Sequence, residues 1–170
     1  MVRAIEALRR PLNEAVGAQE ALRYPPHITL RTGLVCPDER AEEVGREFLQ
    51  HARAGRSVSI ETSDIFFVTY GDPGFERGLV GWSVGLSSSL LDLHRHLLDY
   101  RPWAKGPQAE FRPHMTVAFH DIGPAEVDAL RGLVAASPLP AFAWTADHVA
   151  LYHETPQGWV EWGRAPLGEN

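Results

Sequence analysis

The chain has 170 residues, of which 44% are apolar and 22% are charged, as expected for one globular domain with a buried core. The formal net charge is −6, which argues against a long duplex DNA interface, because such an interface needs many basic side chains to neutralise phosphates. The single cysteine, Cys36, excludes a disulfide scaffold and a multi-thiolate metal site. A small phosphorylated ligand is compatible with this composition, since its pocket needs only local positive charge.

Hydropathy gives an expectation for the cellular location. The sequence has no apolar run near the roughly 18 residues of a membrane span, and its first residues carry no hydrophobic signal core. We therefore expect a cytoplasmic protein without a membrane partner. The net charge likewise predicts no duplex DNA partner, and we expect a monomer.

The first half of the chain predicts helices and strands that are separated by prolines and turn residues. In chain order these elements are a strand over residues 2–8, a helix that Pro11 opens, a strand over residues 27–31, a helix that begins at Pro37, and strands over residues 57–61 and 65–70. The helix after Pro37 has the apolar face Ala41, Val44, Phe48 and Ala52. Apolar and polar residues alternate poorly over residues 2–8, so the assignment of this segment as a strand depends on the match with the second half.

The second half predicts a similar series. Its elements are a strand over residues 79–86, a helix capped by Ser88 or Ser89 with the stripe Leu90, Leu93 and Leu97, a strand over residues 114–119, a helix that begins at Pro124, and strands over residues 141–145, 149–152 and 159–162. In the strand 79–86, Gly81, Ser83 and Gly85 leave one face without large side chains. The two halves, residues 1–75 and 76–170, thus predict an internal repeat within one domain.

Equivalent strands of the two halves share the pattern Pro-His-apolar-Thr-apolar. It reads Pro26-His27-Ile28-Thr29-Leu30 in the first half and Pro113-His114-Met115-Thr116-Val117 in the second. Residues i and i+2 of a strand point to the same face, so each histidine projects together with its threonine. Imidazole titrates near neutral pH, and two opposed imidazoles serve as base and acid in one turnover. The threonine hydroxyls can donate hydrogen bonds to phosphate oxygens, so the pattern predicts phosphoester cleavage without a metal ion.

The doubled motif resembles the two-histidine phosphoesterase superfamily, which includes the RNA 2′,3′-cyclic phosphodiesterases and the 2′-5′ RNA ligases. The resemblance covers nearly the whole chain and includes Val149-Ala150-Leu151-Tyr152 and Gly158-Trp159-Val160-Glu161-Trp162 near its end. It implies a bilobal α+β fold, with two pseudo-symmetric lobes of antiparallel sheet around a central cleft and helices on the outside. It also implies catalytic roles for His27 and His114, phosphate-binding roles for Thr29 and Thr116, and no cofactor or metal.

Further residues have both a functional and a structural interpretation. Arg31 continues the face of His27 and would supply positive charge for a phosphate, or it lies at a solvated strand end. His120 continues the face of His114, but a strand end can simply be exposed. The aromatic candidates for stacking on a nucleobase, each also explained by packing, are Trp103, Tyr152 and His153. His94 and His96 lie two apart on a helix, about 200° around its axis, and are interpreted as surface histidines rather than metal ligands.

The sequence therefore predicts a metal-independent phosphodiesterase. By resemblance, it would convert a 2′,3′-cyclic phosphate end of RNA or of a nucleotide to a 2′-phosphate, with weak reverse 2′-5′ RNA ligation. One alternative keeps the chemistry and changes the substrate to a cyclic phosphate of ADP-ribose or to a 2′-5′ oligonucleotide. Another is a nucleotide- or RNA-binding module without turnover. The sequence does not distinguish the histidine that is the base from the one that is the acid.

Overall fold

The computed structural model describes residues 1–33, 36–100, 110–155 and 158–169. These residues form four helices and six strands, with 3₁₀ helices at Glu20–Arg23 and Asp38–Arg40: α1 (Val2–Ala15), α2 (Ala41–Ala52), β1 (Val58–Tyr70), β2 (Arg77–Val84), α3 (Ser88–Asp99), β3 (His114–Phe119), α4 (Pro124–Ala136), β4 (Ala143–Ala146), β5 (His148–Thr155) and β6 (Gly158–Pro166). All strand pairs are antiparallel, which confirms the predicted α+β class. No helix among the described residues is long and apolar enough to span a membrane.

Backbone contacts divide the chain into two compact units of three segments each. Unit 1 consists of Met1–Ile28, Thr62–Val84 and Pro113–Phe142, and unit 2 consists of Thr29–Glu61, Gly85–Arg112 and Ala143–Asn170. The chain therefore passes between the units several times. The predicted organisation as one domain with two lobes stays a prediction.

Unit 1 is built around β2, which pairs antiparallel with β3 and with the second part of β1. Val80, Trp82 and Val84 are buried, as the alternation in this strand predicts. The indole nitrogen of Trp82 donates a hydrogen bond to the carbonyl of Pro140 at 3.0 Å, so the large ring is buried without an unsatisfied polar atom. Leu86, which the sequence assigned to the same strand, lies beyond its end and is exposed.

The predicted strand at residues 2–8 is wrong, because these residues form the first turns of α1. Alanine, leucine, arginine and glutamate dominate this segment, and all four are strong helix formers. Ile5, Arg9 and Asn13 are spaced four residues apart and form the buried face of the helix. Pro11 lies inside α1 rather than at its start. The predicted repeat of element order therefore does not extend to the first element.

The predicted strand at residues 27–31 is also wrong. Only an isolated antiparallel bridge between Ile28 and Met115 joins this segment to β3. The preceding Pro25 and Pro26 have no backbone N–H to donate to a ladder, which explains why regular pairing does not extend toward them. The predicted strands 57–61 and 65–70 are, by contrast, one long strand, β1, whose pairing with β2 is irregular between Thr62 and Ile65.

Unit 2 contains α2, α3 and the β5–β6 hairpin, together with the pairing of β4 and the first residues of β1. The predicted apolar stripes of both helices are confirmed as buried, apart from the half-buried Ala41: Val44, Phe48 and Ala52 on α2, and Leu90, Leu93 and Leu97 on α3. The cap of α3 is Ser87 rather than Ser88 or Ser89, since its hydroxyl accepts from the Leu90 N–H.

Close packing of α2 on β6 depends on a glycine. An added Cβ at Gly45 would lie 2.4 Å from the ring of Trp162, a distance that forces one of the two to move. The two tryptophans of β6, Trp159 and Trp162, are both more than one-third exposed.

Candidate active site

One face of β3 carries His114 and Thr116, as the strand period predicts. Both residues are half-buried, whereas the intervening Met115 and the following Val117 are 1% and 0% exposed. The apolar residues of β3 therefore anchor the strand in the core of unit 1. The histidine and the threonine are left together on the opposite face.

The neighbouring strand β2 places small residues beside these two side chains. Ser83 is the register partner of His114, and Gly81 is the partner of Thr116, so the small residues noted in the sequence lie on the face that carries the motif. An added Cβ at Gly81 would lie 2.9 Å from the Met115 carbonyl oxygen and 3.1 Å from the ring of Phe66. The Phe66 ring stands edge-on to the imidazole of His114, with the centroids 5.6 Å apart.

The first motif brings His27 to the same face of β3. Because Ile28 forms the antiparallel bridge with the buried Met115, the residues next to each bridge partner point to the other side. His27 directly precedes this bridge and is exposed. Its Nδ1 lies 2.9 Å from the carbonyl oxygen of Pro25. A carbonyl only accepts, so Nδ1 carries the proton, and the Nε2 of the neutral ring keeps a lone pair.

The surroundings of His27 lower the pKa of its imidazole. Partial loss of hydration is the largest cause, and the positive charges of Arg9 and His114 act in the same direction. The hydrogen bond to Pro25 acts in the opposite direction. As an exposed residue, His27 keeps contact with solvent while it favours the neutral form at neutral pH.

Contacts from other parts of unit 1 hold the segment that leads to His27. The Asp121 carboxylate, just beyond β3, accepts hydrogen bonds from the backbone N–H groups of Gln19 and Glu20 at 2.6 and 2.8 Å. The Tyr24 ring lies between Phe119 and His27, with centroid distances of 6.0 and 6.2 Å. The sequence motifs gave no indication of these supports.

A comparison with protein families gives the family of this chain. The model of the 2′-5′ RNA ligase superfamily matches residues 2–157. The chain belongs to this superfamily. In fold it is similar to the crystal structure of TT0787 of Thermus thermophilus, with a TM-score of 0.52 and 17% identity over 97% of this chain and 94% of that one. No curated protein matches the sequence.

The two remaining candidate residues of the first motif region, Thr29 in the motif and Arg31 just after it, belong to unit 2. Thr29 is exposed and Arg31 is half-buried, and burial lowers the pKa of the Arg31 guanidinium. Between them, the carbonyl of Leu30 accepts a hydrogen bond from Nδ1 of His94 at 2.7 Å. The His94 ring also stacks on Phe111, with centroids 3.9 Å apart and planes at 4°.

The interpretation of His94 and His96 as surface histidines is wrong, since both are half-buried and hydrogen-bonded. His96 on α3 and His51 on α2 stack at 4.1 Å. Each ring donates from Nε2 to the backbone carbonyl of the other residue, at 2.8 and 2.9 Å. The pair therefore links two helices of unit 2 rather than presenting ligands to a metal ion.

The other candidates have structural partners in this superfamily member, except one that lies outside the described residues. His120 is exposed, has a φ of 67°, and accepts a hydrogen bond at Nδ1 from Arg77 at 3.1 Å. The Tyr152 hydroxyl donates to Glu161 at 3.0 Å. The exposed His153 has its ring 6.0 Å from that of Trp162. Trp103 is in the part of the chain that the structure does not describe.

We expect no metal ion at this site, and the grouping of possible metal ligands bears on that expectation. Within the described ranges, no three His, Cys, Asp or Glu side chains come together as a cation site. The expectation that this superfamily member needs no metal stays a prediction, and chelation tests it directly.

Proposed function

We propose that this protein is a metal-independent phosphodiesterase that hydrolyses 2′,3′-cyclic phosphate ends of RNA or nucleotides to 2′-phosphates. The observation that carries the proposal is the arrangement of His27 beside β3. One imidazole has its Nδ1 proton committed to the Pro25 carbonyl and is next to a strand face that presents a second imidazole and a hydroxyl. Membership of the 2′-5′ RNA ligase superfamily supports phosphate-ester chemistry at this site.

In the proposed reaction His27 is the general base. Its Nε2 lone pair accepts a proton from water, and the water oxygen forms a bond to the phosphorus of the cyclic phosphate. The lowered pKa of His27 keeps this nitrogen unprotonated at neutral pH, which is the state that a base requires. The hydrogen bond from Nδ1 to Pro25 fixes the tautomer and the plane of the ring.

His114 is the proposed general acid. As the bond from phosphorus to the ribose 3′-oxygen breaks, this oxygen takes a proton from His114, and the products are a 2′-phosphate and a free 3′-hydroxyl. The Thr116 hydroxyl donates a hydrogen bond to a phosphate oxygen, where negative charge develops in the transition state. By its place in the first motif, Thr29 is proposed as a second donor, and Arg31 as a nearby positive charge.

Joining of RNA ends uses the same groups in the same roles, with a hydroxyl of a second RNA end in place of water. His27 would take the proton of this hydroxyl as its oxygen bonds to phosphorus, and His114 would give a proton to the departing ribose 3′-oxygen, which leaves a 2′-linked phosphodiester. The family description names 2′-5′ RNA ligation, so weak joining of RNA ends is part of the proposal.

The test is an incubation of the purified protein with each of the four nucleoside 2′,3′-cyclic monophosphates, in excess EDTA. We expect a single product, the nucleoside 2′-monophosphate, resolved from the 3′ isomer by chromatography. Loss of activity in EDTA that added metal restores would contradict the metal-independent mechanism. Tight nucleotide binding without hydrolysis of these substrates, ADP-ribose cyclic phosphate or 2′-5′ oligonucleotides would instead identify a binding module.

A further inference from the structure

Arg9 is a buried charge in α1 that the proposed reaction does not use directly. It is 2% exposed, and it is the one charged residue in the buried class among the residues that the structure describes. Burial lowers the pKa of its guanidinium, while the nearby Glu6 raises it. A buried charge is costly unless it is paired or well hydrogen-bonded. Within the described ranges no carboxylate lies within ion-pair distance of Arg9.

The partners of Arg9 are backbone carbonyls of the segment that leads to His27. Its Nη2 donates to the carbonyl of Ala21, inside the 3₁₀ helix, and to the carbonyl of Tyr24 at 3.3 Å. Tyr24 directly precedes Pro25, whose carbonyl accepts the Nδ1 proton of His27. One planar guanidinium therefore ties α1 to both ends of the turn before the motif.

The charge of Arg9 also acts on the imidazole. The groups that influence the protonation of His27 are Arg9 from α1, His114 from β3 and the Pro25 carbonyl in its own segment. The Tyr24 ring also lies near His27, and its hydroxyl donates to Glu20 at 3.2 Å. Arg9 keeps its positive charge at neutral pH, because a guanidinium is not deprotonated in proteins under these conditions.

We propose that Arg9 is the positioning residue of His27: it fixes the backbone turn that delivers the imidazole and holds a buried positive charge close to it. The catalytic consequence rests on the proposed function, in which His27 is the base. The structural and electrostatic effect on His27 does not depend on the substrate. The effect of Arg9 on His27 can therefore be disproved independently of its catalytic consequence.

The test compares three variants of the full chain. Arg9→Met removes the charge and keeps much of the volume, and Arg9→Lys keeps the charge but loses the planar fork. Asn13→Leu is the matched control, because Asn13 is buried one helical turn later and donates to the carbonyls of Arg9 and Val117, both at 2.9 Å. It therefore perturbs the same helix without removing a charge.

The first readout is the NMR titration of the His27 ring, which needs no substrate. Both Arg9 variants lose the planar fork and weaken the Pro25 hydrogen bond, which raises the pKa of His27, so the comparison of the two variants isolates the charge. We expect the midpoint of Arg9→Met to lie about 0.5 to 1 pH unit above that of Arg9→Lys, the size of shift that loss of a nearby like charge produces. Asn13→Leu keeps both the charge and the fork, so its midpoint should stay within about 0.2 unit of the wild type. Equal midpoints in Arg9→Met and Arg9→Lys, or a shift of the same size in Asn13→Leu, would overturn the electrostatic part.

The second readout is the ¹⁵N shift pattern of the His27 ring, which reports the tautomer, together with turnover of a 2′,3′-cyclic nucleotide. Arg9→Lys should weaken the preference for the Nδ1–H form and lower kcat about tenfold or more, with little change in KM, because misorientation of the base affects the chemical step. Retention of tautomer and kcat by Arg9→Lys would overturn the positioning part. If Arg9→Met does not fold, Arg9→Gln takes its place in the titration. A wild type that hydrolyses no cyclic phosphate would count against the proposed function, while the titrations would still decide the role of Arg9.

Discussion

The two histidine segments carry the same five-residue motif but are supported in different ways. His114 lies in a regular strand that is paired with β2 and anchored by the buried Met115 and Val117. His27 lies in an irregular segment with a single bridge to β3. Its position depends on a proline carbonyl, on the Asp121 carboxylate and on the buried Arg9.

This difference suggests a physical basis for the two roles, base and acid, that we propose for the two copies of the motif. A ladder fixes a side chain by its strand period and is insensitive to distant side chains. A segment held by side-chain contacts brings those contacts, with their charges, close to the imidazole. Burial, together with the positive charges of Arg9 and His114, lowers the pKa of His27, which would suit the proposed base. The difference in support between the two segments can be tested residue by residue.

Loss of either imidazole is expected to have the largest effect. His27→Ala and His114→Ala should each lower kcat for a 2′,3′-cyclic nucleotide about 10²- to 10⁴-fold, the contribution of a positioned acid or base. Steady-state kinetics measure the loss, and circular dichroism verifies that each variant is folded. His148→Ala, which removes an exposed histidine paired with Asp147 in unit 2, is the matched control. Full turnover by either site variant would contradict the shared role.

Removal of the Thr116 hydroxyl should have the next largest effect. Thr116→Val keeps the shape of the side chain and removes the proposed donor to the phosphate, so kcat/KM should fall about 10- to 100-fold. The control is Thr145→Val on β4, an exposed strand threonine in unit 2. If both variants keep wild-type kcat/KM, the hydroxyl of Thr116 does not contact the transition state.

Substitution of Asp121 tests whether a contact distant from His27 affects turnover separately from the stability of the protein. Asp121→Ala removes the acceptor for the Gln19 and Glu20 N–H groups and should lower kcat several-fold, because the segment before His27 loosens. Glu126→Ala removes a comparable cap, the bond from the Gly123 N–H to Glu126 at 2.8 Å, at the start of α4 in the same unit. A comparable loss of Tm in both variants, with a loss of kcat only in Asp121→Ala, is the expected result. Equal loss of kcat in both variants would show a general effect on stability.

The smallest expected effect is a displacement in the pH profile. A base works only when unprotonated, and the pKa of His27 is lowered, so kcat/KM should stay high as the pH falls past 6.5, the ordinary value for histidine. The rate should then decline through an acid limb whose midpoint lies below about 6.5. An acid limb centred above this value would mean that another group titrates, or that His27 is not the base.

Regular elements with a clear period could be predicted from the sequence. The spacing of Leu90, Leu93 and Leu97 predicted α3, and the alternation of Val80, Trp82 and Val84 predicted β2, because burial of one face follows from the period. The small face of β2 at Gly81 and Ser83 was also visible in the sequence. Its place beside the motif residues of β3 became apparent only with the strand register.

The supports of His27 could not be predicted in the same way. An arginine on a helix is normally solvated, and no sequence pattern marks the carbonyls of Ala21 and Tyr24 as its partners. Two of the three residues on the buried face of α1, Arg9 and Asn13, are polar, so hydrophobic periodicity does not mark this face. The helix itself was missed because residues 2–8 were assigned by analogy with the second half rather than by their helix propensity.

The central claim, that His27 is the base and His114 the acid, is tested most directly by changing the leaving group. A nucleoside phosphodiester with a p-nitrophenyl leaving group needs no proton from the enzyme, because p-nitrophenolate departs as a stable anion. We predict that His114→Ala hydrolyses this ester within about tenfold of the wild type, whereas His27→Ala loses about 10²-fold or more. Near-wild-type hydrolysis of this ester by His27→Ala, together with an inactive His114→Ala, would contradict the assignment.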